Sequence, residues 1–182
     1  MTALPHNVVP MPGPSTSLTS LSATQKRQVD AWSESWHDEP GIHLPDPPDA
    51  VVAALPAAIA EARRSLAPGD PAEVLAALTT LAVRRGFAMP DDVALEMDVE
   101  ILASWPRDLW RLAFRRIWEN FAYRRMPEVA DFRKTIEAEM AERQDRLARL
   151  ETLRLKLETA RLRHRWNEET RRRHRRSGES IG

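Results

Sequence analysis

In a chain without cysteine the histidines are the first place to look for chemistry, and the five present, His6, His37, His43, His164 and His174, are scattered. Only His37-Asp38-Glu39 with His43 gathers acids and imidazoles at short range. A metal held by nitrogen and oxygen needs three or more donors on a scaffold that fixes them, and this group lies in a proline-rich stretch with no further ligand in view. The serines crowd the N-terminal end, away from any histidine and acid that could activate a hydroxyl. The carboxylate pairs Asp91-Asp92 and Glu168-Glu169 are adjacent in sequence, so on a helix they diverge and suit a terminus or a solvated face. There is no glycine-rich phosphate loop, and Arg85-Gly86-Phe87 has the composition of a helix end. Lack of cysteine removes disulfides, thiolate metal sites and thiol nucleophiles together. The expectation is a protein that is not an enzyme and carries no metal or cofactor.

The chemistry that remains is that of guanidinium groups. Residues 1–142 hold 14 Lys and Arg against 21 Asp and Glu, whereas residues 143–182 hold 13 against 6, so a net charge of zero conceals an acidic body and a basic end. Arg161, Arg163 and Arg165 lead into Arg171-Arg172-Arg173-His174-Arg175-Arg176. Like charges at that spacing repel unless solvent or an anionic partner screens them. A solvated end, contact with nucleic acid and contact with an acidic protein surface all fit. A second basic strip, Arg107, Arg111 and Arg115, recurs at one helical turn and is read as a solvated face or a partner-binding one.

The elements that must carry these groups are helices. Residues 1–17 contain Pro5, Pro10, Pro12 and Pro14 and little apolar surface, which predicts disorder. A short amphipathic helix is expected over 18–37, with Ser22 near its start and Leu21, Val29, Trp32 and Trp36 sharing a face. Its Trp32–Trp36 ridge either docks on the protein's own core or anchors a partner. Pro40, Pro45, Pro47 and Pro48 predict an extended linker. The apolar repeat from Val52 to Leu66 predicts a helix of about 56–67, opened by Pro56. Asp70-Pro71 opens the next helix, expected to turn Val74, Leu75, Leu78, Leu81 and Ala82 inward and to stop at Gly86. Pro90-Asp91-Asp92 opens a third, running through Val93, Met97 and Ile101 to Trp105. The fourth, after Pro106, is apolar over more than half its circumference, with Trp110, Phe114 and Trp118 as one ridge, and belongs in the middle of a bundle. After Met126-Pro127 a last long helix is expected to about Arg173, its apolar positions thinning to Leu147, Leu150, Leu153, Leu157 and Leu162 among arginines. Glu142 with Arg146, and Asp145 with Arg149, have the i,i+4 spacing of helix ion pairs.

The fold class expected is therefore all-α: a bundle of about four to five helices over 51–142, a disordered Pro-rich N-terminal segment over 1–50, and a basic helical arm over 143–182. No apolar run approaches the length of a membrane span and the first 22 residues lack the pattern of a secretion signal, so a soluble, cytoplasmic protein is expected.

The step Leu102-Ala103-Ser104-Trp105-Pro106 to Leu109, the helix bearing Ala113 and Ile117, and the opening Met126-Pro127 to Asp131-Phe132 together resemble the small helical domain of phage and prophage replicative-helicase loader and inhibitor proteins over roughly 55–145. The resemblance implies a DNA replication accessory protein whose partner is a hexameric helicase. Two other functions fit the residues: nonspecific DNA binding by the arginine-rich arm, and a coiled-coil assembly role in which the long helix pairs copies of the chain.

Overall fold

Asp70 accepts a hydrogen bond from Ala72 N at 2.9 Å and Pro71 follows with no N–H to lose, so two of the first-turn positions that would otherwise carry free donors do not, and a helix starts there. It ends fifteen residues later at Gly86, whose φ of 67° is the left-handed cap that glycine adopts without strain. The computed structural model describes residues 21–38 and 47–178, and the side chains of these except 36–38 and 176–178. Seven helices are found among the described residues: α1 (Ala23–Asp38), α2 (Asp49–Arg64), α3 (Pro71–Arg85), α4 (Asp92–Ala103), α5 (Arg107–Asn120), α6 (Val129–Lys134) and α7 (Glu137–Gly178). The fold is all-α; the one β-type contact among these residues is an isolated bridge between Pro68 and Pro106. The N-terminal segment expected to be disordered and most of the proline-rich linker lie outside the described residues, as does the candidate ligand His43.

Two cores divide the chain. The first gathers α3, α4, α5, α6 and the start of α7 around Trp110, Phe132, Leu81, Leu102 and Ile136, all but fully enclosed. Its aromatic spine runs along α5, with ring centroids 5.6 Å apart for Trp110–Phe114 and 5.8 Å for Phe114–Trp118, and Phe132 of α6 closes on Trp110 at 5.5 Å. Trp110 is buried as the spacing predicts, whereas Phe114 and Trp118 are half-buried at the edge of the core.

The second core joins α1, α2 and the middle of α7 through Val29, Val51, Leu55, Ala58, Ile59, Leu150, Leu153 and Leu157. It spans both boundaries expected from composition, at 50 and at 142. Helix α1 is thus a structural member, and the first half of the expected arm is wall rather than arm. Helix α2 begins at Asp49, seven residues before Pro56, with Pro48 at its N-cap. Pro56 removes one backbone hydrogen bond, but Val51, Ala54 and Leu55 are buried in the turns ahead of it and their packing holds those turns helical.

The expected last helix is broken. Helix α6 opens with a reciprocal cap in which Glu128 N donates to Asp131 Oδ2 at 2.9 Å, and it closes where the Thr135 hydroxyl donates to Phe132 O at 2.7 Å. Arg116 donates to the Thr135 carbonyl and to Glu139, fixing the joint to α5. From Glu137 the chain continues as one helix to Gly178.

The two cores are stitched at a double loop. Gly69 N donates to the carbonyls of Ala103 at 2.8 Å and Trp105 at 3.0 Å, and Arg107 N donates to Ala67 O at 3.3 Å. Arg143 of α7 clamps Asp108 with both guanidinium nitrogens and donates to Ser65 O at 2.7 Å, tying α7, α5 and the end of α2 together.

Candidate functional site

The groups with chemistry fall into three surfaces. On the first, Arg107 and Arg111 project from successive turns of α5 but converge on Glu73 of α3, at 2.7 and 2.5 Å. The paired guanidinium groups hold the Glu73 carboxyl below the usual carboxylate range, Arg111 having the larger effect. Two members of the expected basic strip therefore serve a helix-to-helix contact. Arg115 is exposed and makes no ion pair among the described residues.

The Trp32–Trp36 ridge is divided as well. Trp32 packs, partly buried, against the second core, while the side chain of Trp36 lies outside the described ones. The same helix supplies Asp30, which accepts from Arg146 Nε at 2.9 Å, and Lys26, which donates to Glu61 at 2.7 Å. Lys26 and then Arg146 and Arg64 hold the Glu61 carboxyl below its ordinary range against a smaller opposing effect of burial. Arg146 thus turns across to α1 instead of along α7 to Glu142. The nearest approach to a pocket here is an open groove at the junction of the cores, lined by Leu66, Trp105, Pro106, Ile136 and Met140. Arg133 lies 5.9 Å above the Trp105 ring at its edge.

The second surface is the distal half of α7. Leu157 is the last residue of that helix in the second core, and residues 158–175 are exposed apart from a half-buried Thr170. At a rise of about 1.5 Å per residue, the part beyond Leu157 extends roughly 30 Å. Arg161, Arg163, Arg165, Arg171, Arg172, Arg173 and Arg175 all stand in solvent there, and Arg176 follows with its side chain outside the described ones. Arg172 and Arg173 reach back to Glu168 and Glu169, at 4.0 and 2.5 Å. Between the cations stand three apolar side chains in heptad register: Leu155 at 56% exposure, Leu162 at 57% and Trp166 at 69%.

The third surface escaped the reading of the sequence. Val93, Met97 and Ile101, through which the third helix is expected to run with no face assigned to them, point outward, with Met97 at 59% exposure. The inner stripe of α4 is Val99, Leu102 and Ala103, buried, with Leu95 partly buried beside them. Helix α4 is apolar on both sides, so periodicity alone could not choose between them. Glu96 and Glu100 border the outer ridge on one side and Asp98 on the other. Burial, and then the charge of Glu128, push the Asp98 carboxyl above its ordinary range. Leu75 of α3, expected inside, is 43% exposed.

Among the described residues no group of three or more His, Asp or Glu side chains is placed to hold a metal ion. No helix among the described residues is long and apolar enough to cross a membrane. No protein-family model, curated protein or solved structure matches the chain.

Proposed function

We propose that the chain is a non-enzymatic accessory protein of phage-type DNA replication that binds a replicative hexameric helicase, as loader or inhibitor, with the distal half of α7 as its handle. The observation that carries this reading is that half-helix: it projects from two complete cores, bears cations around an apolar ridge, and contributes nothing to the fold that would explain either. A projecting helix without tertiary packing lacks what supplies most helical stability in proteins. A large partner that covers Leu162 and Trp166 while meeting Arg161, Arg163 and Arg165 would stabilise it. The resemblance of residues 55–145 to helicase loaders and inhibitors supplies the class of partner, and α3 to α6 with the start of α7 form the compact body such a domain would be.

The test mixes the full chain with the hexameric helicase of the same phage or host at micromolar concentration and follows mass by light scattering alongside the ATPase rate. The expected outcome is co-migration with an altered rate, and loss of both when the chain is ended after Leu157. No complex and no change of rate, with the protein folded, overturns the reading. The exposed arginines favour nonspecific DNA binding as the second reading: a complex with DNA alone, weakening steeply with salt and lost in the same truncation, is the result that would select it.

A further inference from the structure

We propose that the chain associates with itself head to tail, the distal half of α7 in one copy lying on the outer face of α4 in the next. Two surfaces without a partner match in apolar character and in the opposite sign of their free charges. On α4, Val93, Met97 and Ile101 form an apolar ridge at i, i+4, i+8, about 12 Å long. Around it stand Asp92, Glu96, Asp98 and Glu100, none of which makes an ion pair among the described residues, and residues 92–103 include no cation. On α7, Leu155, Leu162 and Trp166 form a ridge about 16 Å long. Arg163 flanks it on one side and Arg165 on the other, and neither has a carboxylate partner among the described residues. Each ridge lacks an apolar cover, and although Glu158 and Glu169 already pair with Arg154 and Arg173 beside the α7 ridge, Arg163 and Arg165 there and the carboxylates of α4 are left to meet opposite charge from elsewhere. Asp98, partly withdrawn from water and facing the charge of Glu128, is a carboxylate for which an arriving guanidinium would be the first opposite charge.

The occupant of α4 is a second copy because the chain's own arm cannot reach it. Met140 packs against the core that contains α4, and Trp166 lies 26 residues further along one continuous helix, about 40 Å away. Pairing two arms with each other is the competing arrangement, and in its parallel form it would bring the two arginine runs side by side. An arm-to-α4 contact is heterologous, each copy using two different patches, so it propagates into open chains or rings instead of closing as a dimer. An interface of three apolar side chains a side is small and the association transient. It would also keep the arm covered until a partner competes for it.

Two full-length variants, both altered at exposed positions, test this without a helicase or DNA. Met97→Lys spoils the acceptor ridge and leaves the arm intact; the pair Leu162→Glu and Trp166→Glu spoils the arm and leaves α4 intact. Circular dichroism establishes that each remains helical. By sedimentation velocity, the unaltered chain should exceed monomer mass as concentration rises and return to monomer at high salt, with each variant alone monomeric. Mixing the variants should restore a single 1:1 complex, because one intact arm meets one intact α4. The milder Glu96→Gln with Glu100→Gln keeps the ridge and should weaken association about tenfold while flattening its salt dependence. The proposal is overturned by an unaltered chain that stays monomeric up to about 1 mM, by a Met97→Lys variant that associates like the unaltered chain, which would indicate arm-to-arm pairing, or by a mixture of the two variants that stays monomeric.

Discussion

Helix α7 is one uninterrupted helix with two different reasons to exist. Its proximal half, to Leu157, is held from outside: Met140 near its start packs against the first core, Leu150, Leu153 and Leu157 belong to the second, and Arg143 and Arg146 reach to three other helices. Its distal half is held only from within, by neighbours four residues apart such as Glu169 with Arg173 at 2.5 Å. Pairs of that kind contribute a few tenths of a kcal/mol each, whereas a buried leucine contributes about 1.5–3 kcal/mol by transfer from water. The composition changes too, from five leucines and four arginines over 137–157 to one leucine and eight arginines over 158–178. Yet within the proximal half Leu153 is enclosed while Leu155, two residues on, stands 56% exposed, so helices from distant parts of the chain decide which leucines become core and which become ridge.

The largest effect that follows is on stability in the proximal half. Leu153 is fully enclosed between α1, α2 and α7, and Leu153→Ala should cost on the order of 2–5 kcal/mol through lost transfer energy and the cavity left behind. Denaturant unfolding followed by helical circular dichroism measures this directly. A change below about 0.5 kcal/mol, the size typical of exposed sites, would mean that the second core does not hold in solution and that α7 is an arm from its start.

Much of this architecture was legible in the residues, and the failures have a common cause. Helix boundaries set by local chemistry could be read: the cap at Asp70 with Pro71, the left-handed Gly86, and the start at Asp91, whose carboxylate accepts from Ala94 N at 2.9 Å. The arginine-rich end, too, needed only counting. Everything that depends on pairing across the sequence was hidden. Asp30 and Arg146 are 116 residues apart and meet at 2.9 Å, yet neither neighbourhood marks the other, so whether α1 docks on the core or on a partner stayed open and residues 143–157 read as an arm. The outer ridge of α4 was missed because a helix apolar on both sides offers two equally good stripes, and only the positions of α3, α5 and α6 decide between them. The two turns of α2 ahead of Pro56 were lost to a local rule that tertiary burial overrides.

An effect of middle size separates the halves by pH. Asp108, paired with Arg143, and Glu61, paired first with Lys26, both have carboxyls held below their ordinary range in the folded chain. Such groups contribute stability that is fully present above the unfolded carboxylate range and is lost as pH falls through the folded value. Asp98 acts in the opposite sense: its raised value is a cost at neutral pH that protonation removes. With Glu73 and Glu139 also held low by their arginines, four carboxyls are lowered against one raised, so the midpoint of thermal unfolding should fall as pH is taken from 7 toward 3, less so in high salt. Arg143→Met and Arg146→Met should each shrink that fall. A melting temperature flat across this range would remove these ion pairs from the energetics of the proximal half.

The smallest expected effect lies in the distal half, and there smallness is the finding. Trp166 is a large apolar side chain, and at a core position its truncation would cost several kcal/mol. At 69% exposure, with no core residue beyond Leu157 in its helix, it has little to lose when the chain is alone and dilute. Trp166→Ala should therefore change unfolding free energy by no more than about 0.5 kcal/mol. Amide hydrogen exchange should show residues beyond Leu157 opening with a far lower free energy than residues 140–157, because nothing outside the helix resists their fraying. Equal protection along all of α7 in the dilute monomer, or a Trp166→Ala cost of core size, would show that the distal half is packed after all. Its exposed ridge would then be unavailable to a helicase and to a second copy alike.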